Sequence, residues 1–88
     1  MLTKTVTVNS LHSDTDVVFG FSFQEDSSAA AAVELRSGSA TGQIVVFLNL
    51  AADETATIVL PKAVFWEFPG GCHVKEVSGS VAGVLYHR

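Results

Sequence analysis

The chain has 88 residues, of which 48% are hydrophobic and 16% charged, with five basic and nine acidic side chains and a formal charge of −4. That length makes a single domain, residues 1–88, with a thin core, and the apolar content excludes intrinsic disorder. The basic residues Lys4, Arg36, Lys62, Lys75 and Arg88 are scattered, which argues against a nucleic-acid partner and against an anionic membrane surface.

Period-two alternation dominates the chain and predicts strands, because successive side chains on a strand point to opposite faces. From Leu2 to Asn9 it sets Thr3, Thr5 and Thr7 on one face and Val6 and Val8 on the other, without the unbroken apolar run of a signal peptide. Between Asp16 and Gln24 it groups Val17, Phe19, Phe21 and Phe23, which predicts three aromatic rings on one side. The segment Ser28 to Arg36 supports two readings. Ala29 to Ala32 are strong helix formers behind a capping Ser28, yet Ala29, Ala31, Val33 and Leu35 also alternate with Glu34 and Arg36. A helix of about nine residues is marginal in water, so the strand is preferred.

Gln43 to Leu50 is almost wholly apolar, as expected of a strand buried on both faces or lying in a subunit interface. Thr55 to Leu60 places Ala56, Ile58 and Leu60 on one face and stops at Pro61, which cannot donate to a ladder. Ala63 to Phe68 sends Trp66 and Phe68 to one face and Phe65 to the other, then reverses at Pro69-Gly70-Gly71. Cys72 to Val77, Ser78-Gly79 and Ser80 to His87 read as a β-hairpin. In its last strand Val81, Leu85 and His87 share one face, Ala82, Val84 and Tyr86 the other, and Gly83 predicts a bulge or a close backbone approach. The pattern is all-β: a small β-sandwich or jelly-roll-like barrel of about eight short antiparallel strands.

Reactive groups do not gather into a motif. His12, His73 and His87 lack the close spacing of metal ligands and read as surface or interface residues. Cys72 is alone, which leaves no intrachain disulfide or thiolate cluster and fits folding in a reducing cytoplasm. Asp14 and Asp16 offer too few oxygens for calcium, and the pairs Glu25-Asp26 and Asp53-Glu54 read as exposed loop acids. No G-x-S-x-G elbow, dinucleotide fingerprint or phosphate loop is present, and no stretch approaches the roughly 18 apolar residues of a membrane helix. The expectation is a protein that is not an enzyme, with no catalytic residues, no metal and no cofactor.

Three blocks carry a family resemblance: Ala51-Ala52-Asp53-Glu54-Thr55, Phe65-Trp66-Glu67-Phe68-Pro69-Gly70-Gly71, and Val74 to Tyr86 with its V-S-G-x-V-x-G pattern. With Ala32 to Gly38 upstream, they resemble the small all-β virion proteins of tailed bacteriophages. The departure is Asp53, where those proteins carry a turn glycine. The resemblance implies a capsid decoration (cement) or other head or tail accessory role, assembled in the host cytoplasm and located in the virion. It also implies a homo-oligomer, a trimer being favoured, whose partner is the phage major capsid protein or another virion protein. Joined to the apolar run, it makes Ile44, Val45, Val46, Phe47, Leu48, Phe65, Trp66 and Phe68 the candidate interface. The alternative is a carbohydrate- or receptor-binding module of a tail or fibre, with Trp66 and its neighbours as a stacking platform.

Overall fold

The computed structural model describes all residues from Met1 to Arg88. It contains no helix. Strand β1 covers Leu2–Thr5, β2 Ser10–His12, β3 Val17–Glu25, β4 Ala31–Ser37, β5 Ile44–Leu50, β6 Thr55–Val59, β7 Trp66–Glu67, β8 Cys72–Ser78 and β9 Val81–His87. Two antiparallel sheets result. The first runs β1-β9-β3-β6, with β7 paired to the start of β3, and the second runs β2-β8-β4-β5. The shortest dimension of the molecule, 18 Å, suits two sheets stacked about 10 Å apart.

Among consecutive strands only β4 and β5 pair with each other. The short connections β1–β2, β3–β4, β5–β6 and β8–β9 are arches that cross from one sheet to the other. They stack β1 on β2, β9 on β8, β3 on β4 and β6 on β5. The core fills the space between: Val18, Phe21 and Phe23 of β3 and Val81 and Leu85 of β9 face Ala31, Val33 and Leu35 of β4 and Cys72 and Val74 of β8.

The Ala29 to Arg36 segment is strand from Ala31 onward, while Ala29, expected to point inward with it, lies exposed in the preceding arch. Ala31, Val33 and Leu35 point into the core, where tertiary burial outweighs the alanines' helix preference. The expected C-terminal hairpin is instead an arch. Strand β8 lies between β2 and β4, and β9 lies between β1 and β3, so Cys72 and Val74 meet Val81 and Leu85 across the core. Gly79 makes the crossing at φ +70°, and a Cβ there would sit 2.6 Å from the Ala30 carbonyl oxygen. The Val81 N–H donates to Glu76 Oε2 (3.1 Å) and the Asp26 N–H to the Ser80 carbonyl (3.1 Å), tying the arch down.

The three aromatics of β3 do not share one face. The register against β9 slips between Val18 and Gly20, and this bulge turns Phe19 away from Phe21 and Phe23. Phe21 and Phe23 pack in the core with ring centroids 5.3 Å apart, while Phe19 meets Phe65 edge to face on the outside at 6.4 Å. The face assignment of β9 agrees with the alternation: Val81, Leu85 and His87 are buried, and Ala82, Val84 and Tyr86 are not. Gly83 marks a close approach to β3, since a Cβ would meet the Ser22 carbonyl oxygen.

Glu25 is also unlike the exposed loop acid expected of it. It is buried at the end of β3, and its carboxylate accepts the Ser27 N–H and hydroxyl (each 2.6 Å), the Ala29 N–H (3.3 Å) and the Asp53 N–H (2.9 Å). The Asp53 N–H first, then the Ser27 hydroxyl, hold its pKa down at about 2. One side chain thereby joins the β3–β4 arch to the β5–β6 arch. Asp53, standing where a turn glycine was expected, takes the left-handed conformation at φ +60°.

Candidate functional site

Strand β5 is an edge. It pairs with β4 and with nothing on its other side, so every second residue presents an unpaired N–H and C=O outward. The strand is therefore not buried on both faces, as its composition allowed. Phe47 stands 51% exposed opposite Glu34, and Ile44 projects beside it across from Arg36. Val46 and Leu48 lean on the core, and Val45 is the extra residue where the register slips between Leu35 and Arg36. Directly beneath, β6 is the edge of the other sheet. Ile58 of β6 lies opposite the buried Phe21 yet remains 41% exposed, because no strand follows β6. No charged side chain occurs from Gln43 to Leu50 or from Thr55 to Leu60. The result is an apolar side wall with two stacked open edges.

The aromatic part of the candidate set divides. Phe68 is 0% exposed and belongs to the core, so it is no interface residue. Trp66 stacks on Phe21, with centroids 5.8 Å apart and planes 22° from parallel, and is half-buried. These two rings do share a face, as the alternation requires, and that face is turned inward. Phe65, on the opposite face, is exposed.

Two concave regions adjoin the exposed rings. A groove of about 400 Å³ runs between Met1, Phe19, Val59, Leu60, Pro61 and Ala63, with Lys62 as its one charged residue, and is predominantly apolar. A hollow of about 290 Å³ lies against Phe65, Pro69, Asp16, Glu67 and Arg88 at the end where β3 begins and β9 finishes.

The histidines, expected at the surface or in an interface, are buried within the single chain. His12 accepts the Thr7 N–H at Nε2 (3.1 Å), which leaves Nδ1 protonated to donate to the Cys72 carbonyl (3.1 Å). His73 lies on the outer face of the second sheet, covered by its neighbours. Burial, and then the fields of His12, Lys75 and Arg36, lower its pKa. His87 faces inward on β9, opposite Val18 and Leu2. Neither His73 Nδ1 nor His87 Nδ1 has a hydrogen-bond partner. No three His, Cys, Asp or Glu side chains converge to hold a metal. Burial pushes the Cys72 thiol up to about 12, so it stays protonated and is a poor nucleophile. Near His73, Glu34 and Arg36 form a largely covered ion pair (2.8 Å), with Arg36 also donating to the Gly42 carbonyl (2.8 Å).

Compared with known protein families, curated proteins and solved structures, the chain matches none. The resemblance to phage virion proteins rests on the turn and strand blocks named above.

Sequence reasoning missed Ile58 of the side wall and Met1, Phe19 and Val59 of the groove. The signal for β6 was present in Pro61, since a proline that ends a strand favours a sheet edge. For Phe19 it lay in Gly20, whose Cβ would collide with the Ile58 carbonyl oxygen.

Proposed function

We propose that the protein is a structural subunit, a decoration-type virion protein that self-associates and clamps neighbouring shell subunits. The observation that carries this reading is the apolar side wall of β5 and β6, a charge-free surface on a chain of net charge −4. Such a surface works by burial. Each contact can be weak, because an oligomer engages several sites of a repeating lattice at once and gains through effective concentration. At roughly 25 cal/mol per Å² of apolar area, association also supplements a core that is thin in a chain this short. The apolar groove beside Phe19 supplies a second surface, separate from the β5 edge, for a different neighbour. Light scattering combined with sedimentation onto undecorated shells tests the reading. Oligomers that pellet with shells support it, and a monomer without shell affinity overturns it.

One observation favours a second reading, a carbohydrate-binding module. Phe65 exposes its ring beside Asp16, Glu67 and Arg88, an apolar plane flanked by hydrogen-bonding groups. The stacking ring is then Phe65, because one face of Trp66 is already occupied by Phe21. A glycan array run with the wild type and Phe65→Ala decides it: binding that disappears in the variant supports this module, and silence on every sugar removes it.

A further inference from the structure

We infer that the β5 edge pairs with the β5 edge of a second copy, antiparallel about a two-fold axis, joining two sandwiches side by side. The inference rests on the self-association proposed above and adds the edge, the partner and the symmetry.

The unpaired backbone groups of β5 decide what kind of occupant fits. A row of open N–H and C=O groups is satisfied by another extended strand, whose main-chain hydrogen bonds supply the affinity. Proteins usually blunt such edges with charge, proline or short length. The other three edges follow this practice in part: β2 has three residues, β1 has four and carries Lys4, and β6 has five and stops before Pro61. Strand β5 has seven residues, with neither charge nor proline.

The stacking of β6 on β5 selects a second copy over a foreign peptide. A single strand added to β5 would leave the β6 edge and Ile58 open. A two-fold axis normal to the sheets, placed beside β5, also runs beside β6 in the other layer, so a second sandwich covers both edges at once. Charge points the same way. Copies of net charge −4 repel, and the repulsion is least where both strands carry no charged side chain.

The bulge sets the register. Regular pairing with β4 extends from Val46 to Leu50 and is interrupted at Val45, so the axis falls at Leu48, the middle of the regular stretch. Leu48 then lies opposite its own copy, Val46 opposite Leu50, and Phe47 opposite Asn49. Val46, Leu48 and Leu50 all face the core side, which continues the two cores into each other. The two second sheets merge into one of eight strands, four from each copy. Like edges pairing this way close at two copies, so the assembly is a dimer and not the trimer favoured by the resemblance.

The Phe47 positions of the two copies lie diagonally across the axis, within reach of long side chains. Sedimentation velocity over a wide concentration range is expected to show a dimer for the wild type and monomers for Phe47→Lys and Phe47→Glu. An equimolar mixture of the two variants should restore the dimer, and Leu11→Lys, on the far edge, should leave it intact. A wild type that stays monomeric, single variants that still associate, or a mixture that does not recover would each overturn the pairing. Hydrogen exchange on the unmodified chain guards against misfolded variants. Protection of β5 and β6 amides that rises with concentration supports the pairing, whereas protection rising at β1 and β2, or nowhere, refutes it. Dimers that form but do not bind shells leave this inference standing and remove only the decoration role.

Discussion

The two lateral sides of the sandwich are built on opposite rules. Along β1 and β2 the strands are short and polar contacts finish them. Lys4 Nζ donates to Asp14 Oδ2 at 2.8 Å, which holds the Asp14 carboxyl below its usual range, and His12 ties the Thr7 N–H to the Cys72 carbonyl. Along β5 and β6 the strands are longer, no ion pair or side-chain hydrogen bond spans the two edges, and Phe47, Ile44 and Ile58 meet solvent. The first side closes its arch with side-chain contacts within the chain, and the second leaves a longer row of outward N–H and C=O groups with no such contact beside it. The comparison teaches that apolar composition alone does not locate the core: Phe68 and Phe47 are the same residue type with opposite roles, and position relative to a sheet edge separates them.

Substitutions at those two phenylalanines and at the two sides test the contrast, beginning with the core. Phe68→Ala empties a fully buried site and is expected to lower the free energy of unfolding by about 3–5 kcal/mol, whatever the protein concentration. Denaturant titration of the variant at two concentrations checks this. A loss that vanished on dilution would return Phe68 to the interface. His12→Leu breaks the closed side while keeping most of the volume. It strands the Thr7 N–H and the Cys72 carbonyl, a cost of about 2 kcal/mol. Chemical denaturation should show that loss while sedimentation stays as in the wild type, because β2 lies on the far edge from β5.

Glu25 ties the arch that precedes β6 to the β3–β4 arch, so its titration bears on the open side through the centre of the sandwich. Its pKa lies at about 2 in the folded chain against an ordinary value of 4.5. A carboxyl whose folded pKa is depressed contributes stability in full above the unfolded pKa and loses it as pH falls toward the folded one. Thermal unfolding followed from pH 7 downward should therefore show the Glu25 contribution fading between pH 4.5 and about 2. Glu25→Gln is expected to be less stable at neutral pH and to have a flatter acid limb. Parallel curves for the variant and the wild type would mean that the four hydrogen bonds to Glu25 do not matter to folding.

The fold was legible because its local signals agree. Alternation in β9, and in β3 beyond the bulge at Phe19, reports inward and outward faces directly, and Pro61 and Gly79 sit where strands end. What escaped was set by partners distant in the chain. A Ser-Gly turn after β8 suits a hairpin or an arch equally, and the choice depends on β8 pairing with β2 and β4 while β9 pairs with β1 and β3. The burial of Glu25 and His12 was hidden for the same reason: their partners Asp53 and Cys72 lie 28 and 60 residues away. Within the candidate site, the apolar run Ile44 to Leu48 was readable, but its status as an edge was not, since a strand buried on both faces has the same letters. Ile58 was grouped with Ala56 and Leu60 on one face, and its place opposite Phe21 puts it on the inner side. Its exposure comes only from the absence of a following strand.

The smallest expected effect is the most informative about that edge. Phe47 is 51% exposed and opposes Glu34 on the outer face, so Phe47→Ser removes little burial within one chain, and its intrinsic cost should stay within about 0.5 kcal/mol. If β5 joins two copies, association adds stability by mass action, and the wild-type Tm rises with protein concentration. The variant, unable to associate, should show a Tm that does not move. The two melting curves then nearly coincide at high dilution and separate as concentration grows, the wild type becoming the more stable. Curves separated by a constant interval at every concentration would make Phe47 part of the monomer's own packing and would close the open side of the molecule after all.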